Sequence, residues 1–284
     1  MKTVLVTGGA GFIGSHLCER LAKEGYRVIS LDNYFTGHED NHVPGVEYRT
    51  GHTKDIAAHV PESPDLIFHL GEYSRVERSF DDIELVWDLN KTGTIAVLEF
   101  WRKRGGKLVY AGSSTKFGES GLGRDQSPYA WSKASMSDLV RNYGTWFSLP
   151  YAITYFYNVY GPRERAGTHG TVIEIFCQKR MRGEPLVVNA PGTQQRNFTH
   201  VHDIVSGLML VGEKGRGDDF GIGSERAYSI LEVAKLYGGE VELGPEVRGN
   251  RMGSTLDASK VRALGWEPKH NLDDYIASRM AGLA

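Results

Sequence analysis

Cysteine is scarce: Cys18 and Cys177 are the only two among 284 residues. They lie far apart in apparently helical segments and make neither a CxxC pair nor a disulfide framework, so they read as ordinary thiols of a reducing compartment. Long apolar runs are also missing. No stretch approaches the ~20 apolar residues of a membrane span. The opening MKTVLVTGGAGFIG turns to glycine without the charged-then-apolar run of a secretory signal. A cytoplasmic protein with no membrane partner is expected. Neither sign of charge dominates: 33 Lys and Arg against 35 Asp and Glu leave a formal net charge of −2, which argues against nucleic-acid binding held by overall charge. A small anionic ligand would need local arginines instead. The ten histidines make no metal motif, and the alternating His200 and His202 read as a strand-end or capping pair, so no metal is expected. Tyr and Trp are scattered, as core packing requires and nucleic-acid stacking does not.

What is present is an alternation. Short apolar runs at Thr3–Thr7, Arg27–Leu31, Val46–Arg49, Leu66–Leu70, Lys107–Ala111 and Tyr151–Tyr155 read as strands. Between them Ile13–Lys23, Ile83–Arg104 and Pro128–Phe147 carry helical apolar periodicity, long enough for right-handed crossovers. This predicts an α/β fold of Rossmann type, a doubly wound and mainly parallel sheet over residues 1–162. After Asn158-Val159-Tyr160-Gly161-Pro162 the chain shifts to helices and short strands broken by Gly and Pro. Residues 163–284 are therefore expected to form a smaller α/β substrate-binding lobe, with part of about 200–225 returning to the first domain.

The strongest local signal is Val4-Leu5-Val6-Thr7-Gly8-Gly9-Ala10-Gly11-Phe12-Ile13-Gly14. A strand runs into glycines spaced GxxGxxG and then into a helix. Glycine allows the tight turn and the close approach of backbone to a pyrophosphate, while the helix N-terminus offers free N–H groups. Asp32 closes the second strand about twenty residues later, where a carboxylate accepts from a ribose diol and repels a 2′-phosphate. NAD is favoured over NADP. Asp55, with Ile56, follows the third strand, either to meet the adenine or as a helix N-cap.

Tyr129-Ala130-Trp131-Ser132-Lys133 is a YxxxK pair, and its i,i+4 spacing places both side chains on one helix face. A phenol working as a base needs neighbouring positive charge, which Lys133 and an oxidised nicotinamide can supply. Ser113-Ser114-Thr115 set hydroxyls at the end of the fifth strand, where ligands of open parallel sheets bind. A serine there can orient a substrate hydroxyl beside the tyrosine.

These motifs resemble the extended short-chain dehydrogenases/reductases, in their nucleotide-sugar epimerase/dehydratase group. The resemblance runs from TGGAGFIG at Thr7–Gly14 through LDNYFTG at Leu31–Gly37, HLGEYSRVERS at His69–Ser79, YAWSK at Tyr129–Lys133 and YNVYGPRE at Tyr157–Glu164. It continues with GTQQRNFTHVHD at Gly192–Asp203 and LGWEP at Leu264–Pro268. It implies Ser113, Tyr129 and Lys133 as the catalytic group. Around NAD it places Gly8, Gly11, Phe12, Ile13, Asp32, Asn33, Leu70 and Asn90, the last in the Asn-x-x-Gly-Thr pattern at Asn90–Thr94. It also implies Asn158, Arg196 and Arg248 on the sugar nucleotide, the two arginines facing its diphosphate, and a homodimer built through Ile83–Arg104 and Pro128–Phe147.

In this group the tyrosinate takes the proton of the sugar 4-hydroxyl while C4 gives hydride to NAD. Dehydratases then use an Asp-Glu pair immediately after the catalytic Ser or Thr, and decarboxylases keep a Glu at the second of those positions. Here Ser114 and Thr115 stand there, and neither ionises usefully near neutral pH. The resemblance thus implies a 4-epimerase of UDP-linked sugars, with a decarboxylase, 4,6-dehydratase or 4-ketoreductase as alternatives. A non-catalytic dinucleotide sensor is the alternative of another class, against which the intact Ser113, Tyr129 and Lys133 argue. Three departures from the family stand out. Glu72 replaces a small residue, to tune hydride return, to contact the sugar, or to pair with Arg75 or Arg78. Gly118–Ser127 is short for the loop before YxxxK, and His52 replaces an acidic residue.

Overall fold

The computed structural model describes residues 1–117, 123–167, 170–246, 252–253 and 257–282. Its centre is a seven-stranded sheet built from β1 (Thr3–Thr7), β2 (Arg27–Asp32), β3 (Val46–Thr50), β4 (Leu66–His69), β5 (Lys107–Ser113), β6 (Tyr151–Phe156) and β11 (Gly217–Ile222). The spatial order is β11-β6-β5-β4-β1-β2-β3, and every pairing is parallel. β1 therefore lies between β2 and β4. The chain winds outward in both directions from it, and the crevice at the carboxyl ends of β1 and β4 is the topological switch point where open α/β sheets bind ligands.

Alternation along the strands explains why both faces are covered. Val4 and Val6 join one core with Leu17, Leu21, Ile204, Leu208 and Trp266, from α1 (Phe12–Lys23), α7 (Val201–Lys214) and the segment after α9 (Ser259–Ala263). Leu5, between them, joins the other core with Ile67 of β4 and with Val97, Trp101 and Val140 from α4 (Gly93–Arg104) and α5 (Pro128–Trp146). Side chains two apart share a face of a strand, and a parallel sheet needs apolar residues on both.

The expected helix at 83–104 is helical throughout but not uniform. α3 (Ile83–Val86) passes into a π-helical stretch, Trp87–Thr92, before α4 begins. α5 starts cleanly because the Ser127 side chain accepts the Ala130 N–H at 3.1 Å and Pro128 fills the first helical position.

A third core holds Tyr160, Ile173, Phe176, Leu186, Phe198, Tyr228, Val233 and Ile276. It draws together β7 (Val159–Tyr160), α6 (Val172–Met181), β8 (Leu186–Asn189), β12 (Ala227–Ser229), α8 (Ile230–Tyr237) and α10 (Leu272–Ala281). β13 (Val241–Gly244) pairs with β8, β12 with β9 (Gln195–Asn197), and β10 (Thr199–His200) with β7. α2 (Ile56–His59) is a single turn after β3. Beside this core, Glu164, Thr171 and Arg196 border the cleft described below.

Candidate active site

A cleft of about 900 Å³ opens over the carboxyl ends of the strands. Its floor is the glycine loop. Gly8 takes a φ of 73°, and a Cβ there would stand 2.8 Å from the Gly71 backbone after β4. A Cβ on Gly14 would stand 2.0 Å from the Gly8 carbonyl oxygen, so α1 packs on the loop at a distance only glycine permits. Gly11 occupies the N-cap of α1 and supplies no side-chain cap. The first N–H groups of the helix thus keep their donors for an anion, and the positive end of the helix dipole points the same way.

Asp32 is 7 % exposed. Its Oδ2 accepts the Ala10 N–H at 2.9 Å and its Oδ1 the Tyr34 N–H at 2.8 Å. Burial pushes the carboxyl up against the pull of those two donors. Phe12, Ile13, Asn33 and Leu70 line the same end of the cleft. Glycine cradle, free helix N-terminus and terminal carboxylate together fit a dinucleotide.

The other end gathers the residues expected to be catalytic. β5 continues through Ser113, two residues further than its apolar run suggested, because β6 pairs with it out to Phe156. The Ser113 hydroxyl lies 2.9 Å from that of Thr115, and Ser113, Ser114 and Thr115 are all nearly buried yet line the cleft. Tyr129 and Lys133 reach the same wall from α5. The Lys133 ammonium donates to the Ala111 carbonyl and to the Glu72 carboxylate. Glu72 is thus paired with Lys133, not with Arg75 or Arg78; its loop folds inward toward α5, whereas Arg78 lies near Asp82 on the outside.

Other expected residues sit less directly. Asn90, in the π-helical stretch, is fully buried and does not line the cleft. Its Oδ1 accepts the Tyr73 N–H at 2.6 Å, and its Nδ2 donates to Tyr73 O and Ser132 Oγ, each at 3.1 Å. It pins the Tyr73 segment of the cleft wall to α5. Asp55 is exposed at the N-cap of α2 with no side-chain cap bond, and Ile56 is core; neither lines the cleft, which Gly51 and Thr53 border instead. Asn158 and Arg196 do line it. Asn158 takes a φ of 30° and donates to Asn197 O at 2.9 Å. Arg248, and Gly118–Leu122 of the short loop, lie outside the described residues.

Sequence reasoning passed over Arg75, Arg163 and Glu164 as cleft residues. The last two close the quoted YNVYGPRE motif and were the signal available. Arg163 donates to Glu19 Oε2 at 2.6 Å, which docks the motif on α1. Burial, then the charge of Glu174, raises the Glu164 carboxyl to about 8, and the Thr171 hydroxyl donates to it. At the N-terminus of α7, His200 Nδ1 accepts the His202 N–H at 3.3 Å as a helix cap, and Asp203 holds His270 at 2.9 Å. The three imidazoles have donor atoms within 4.8 Å of one another, away from the cleft.

A doubly wound parallel sheet with this cleft defines an NAD-binding enzyme of the extended short-chain dehydrogenase/reductase type. Residues 4–223 match the NAD dependent epimerase/dehydratase family, and the chain belongs to that family. It is 31 % identical over 291 residues to a Methanocaldococcus jannaschii protein provisionally named UDP-glucose 4-epimerase, with 96 % of this chain and 95 % of that one covered. It is 30 % identical over 294 residues to UDP-glucuronic acid decarboxylase 2 of Arabidopsis thaliana, covering 95 % of this chain and 65 % of the relative. Among solved structures, Thermus thermophilus UDP-glucose 4-epimerase in complex with NAD superposes with a TM-score of 0.91 at 28 % identity, over 99 % of this chain and 98 % of that one. NAD is the cofactor. Among the described residues, no helix is long and apolar enough to cross a membrane.

Proposed function

We propose that the protein is a nucleotide-sugar 4-epimerase acting on a UDP-linked sugar. The observation that carries this reading is the composition of the wall after β5. After Ser113, Ser114 and Thr115 offer hydroxyls at the two positions where the family's dehydratases place an Asp-Glu pair. Removing a C5 proton and expelling a C6 hydroxyl needs ionisable groups there, and hydroxyls with no usable ionisation near pH 7 do not provide them. A 4-epimerase needs one base and a ketone free to turn over.

Tyr129 takes the proton of the C4 hydroxyl, and Ser113 holds that hydroxyl by hydrogen bonding. Lys133, fixed by Ala111 and Glu72, orders the wall from which Tyr129 works. The glycine loop and Asp32 would hold NAD, which would supply the hydride acceptor and donor for C4. After the ketone turns over, Tyr129 gives the proton back on the other face. Arg196 and Asn158 hold the diphosphate and sugar, guanidinium forks matching phosphate oxygens. A homodimer through α3–α4 and α5 accounts for the exposure of Ile83, Ile95, Trp131 and Trp146 on those helices; a concentration-independent monomer in sedimentation would overturn it.

The decarboxylase reading rests on the Arabidopsis relative, and one assay separates the two. The protein is incubated with UDP-hexoses, their N-acetyl forms and UDP-glucuronate, without added NAD, and products are read by mass spectrometry and NMR. An isomer of unchanged mass with inverted C4 is the expected product, absent in Tyr129→Phe. Loss of carbon dioxide or water would refute the epimerase.

A further inference from the structure

Glu72 follows β4 and carries its charge into the protein. Its side chain is 3 % exposed and that of Lys133, its partner, 5 %. Oε2 accepts from the Lys133 ammonium, while Oε1 accepts from Thr94 Oγ1 at 2.8 Å and from the Tyr110 hydroxyl at 3.0 Å. The surrounding groups come from four elements and add no further charge. Tyr110 of β5 is pushed well above the ordinary range of a phenol, by burial and then by the charge of Glu72, and so remains a donor. Burial holds His69 of β4 down to about 4, so it is neutral, between Thr7 and Thr94 hydroxyls at 2.7 and 2.9 Å. Lys133 of α5 lies 4.6 Å over the Tyr110 ring, and Thr94 of α4 completes the shell. Three donors converge on a carboxylate that has no other reason to be buried, and the pair sums to zero charge.

The ammonium borders the cleft that the dinucleotide enters. An oxidised nicotinamide ring bears a positive charge and a reduced one does not, so an unbalanced ammonium beside it favours the reduced form. We propose that Glu72 is a positioning residue that fixes Lys133 and cancels its charge, biasing the bound dinucleotide toward oxidised NAD+, the form from which a cycle of transient oxidation starts. This rests on the reading of Lys133 as part of the catalytic group, which brings the nicotinamide end to it.

The test needs no substrate. Full-length wild type and variants are equilibrated with a mixture of NAD+ and NADH, freed of unbound dinucleotide, and their bound contents quantified by chromatography. In Glu72→Gln the ratio of bound NAD+ to NADH should fall about tenfold or more, the order expected for an unscreened charge within a few ångströms. Glu72→Asp, which keeps the charge, should return near the wild-type ratio. The double variant Glu72→Gln/Lys133→Met leaves no buried charge orphaned, should also stay near wild type, and serves if Glu72→Gln fails to fold. A wild-type ratio in folded Glu72→Gln overturns the proposal, as does a double variant tenfold away from wild type. A shifted ratio in protein that forms no 4-epimer would refute the epimerase and leave the charge balance standing; epimerisation with an unshifted ratio would do the reverse.

Discussion

Replacing Asp32 by Asn should separate the carboxylate's work for the cofactor from its work for the fold. In the structure its two oxygens accept the Ala10 and Tyr34 N–H groups, at 2.9 and 2.8 Å. Asn keeps one acceptor and turns an NH₂ toward the other N–H, a donor facing a donor, which costs about 1–3 kcal/mol. Against this, burial of the charge outweighs the two donors and leaves the carboxyl raised, so neutralising it returns part of that cost. The unliganded variant should therefore unfold within about 1 kcal/mol of wild type. The dinucleotide has no such offset. Losing one charge-assisted bond to the ribose diol forfeits about 1.5–3 kcal/mol, roughly ten- to a hundredfold in NAD affinity, and discrimination against NADP should relax because a 2′-phosphate no longer meets a full negative charge.

Urea unfolding without ligand and calorimetric titration with NAD and NADP measure the two effects. The pH dependence adds a sign. With its folded value raised, Asp32 takes up a proton more readily in the folded than in the unfolded protein, so acidification should shift the stability difference in favour of wild type. A variant destabilised by more than about 2 kcal/mol with NAD affinity intact would refute the reasoning and leave Asp32 a clamp on the glycine loop.

Two further outcomes follow from the geometry. Gly14→Ala should abolish NAD binding and destabilise by about 1–3 kcal/mol or more, because its Cβ would meet the Gly8 carbonyl at 2.0 Å; calorimetry showing wild-type affinity would exclude the close helix–strand contact. His69 stays neutral when folded down to about 4, whereas an unfolded imidazole takes its proton near 6.5, so its contribution is present above pH 6.5 and lost as pH falls toward 4. The stability gap between wild type and His69→Leu should accordingly narrow by up to about 3 kcal/mol over that window, and parallel urea curves from pH 7 to 4 would sink the assignment.

The dinucleotide end was legible because it is local. Strand, glycines, helix and Asp32 fall within the first 32 residues, where spacing along the chain and spacing in the fold coincide. The candidate catalytic end was legible only as types of residue. Tyr129 and Lys133 share a helix face by period, but the partner of Lys133 lies 61 positions away, and no periodicity assigns a tertiary ion pair. Arg75 and Arg78 were the nearer cations by sequence, and proximity in sequence misled. The π-helical turn at Trp87–Thr92 was hidden for a similar reason. Its apolar pattern is that of a helix, and what distinguishes it is Asn90 reaching Tyr73 and Ser132.

Burial of a charge does not by itself mark function, and β5 shows what does. Lys107, its first residue, is 7 % exposed, and burial lowers its ammonium to about 8. Yet it donates to Val211 O at 2.6 Å and Gly212 O at 2.7 Å, carbonyls of the last turns of α7 that a cation satisfies. Ser113, the last residue of the same strand, lines the cleft, its hydroxyl meeting the hydroxyl and the N–H of Thr115. One end of the strand holds the fold together and the other presents groups to a ligand. The same polarity sorts the acids: Asp203 holds the His270 backbone and ring away from the cleft, whereas Asp32 ends β2 and Glu72 follows β4 at the carboxyl ends. Burial leaves the Asp32 carboxyl raised until a ligand engages it, and that is why the cofactor, not the unliganded fold, should register its removal.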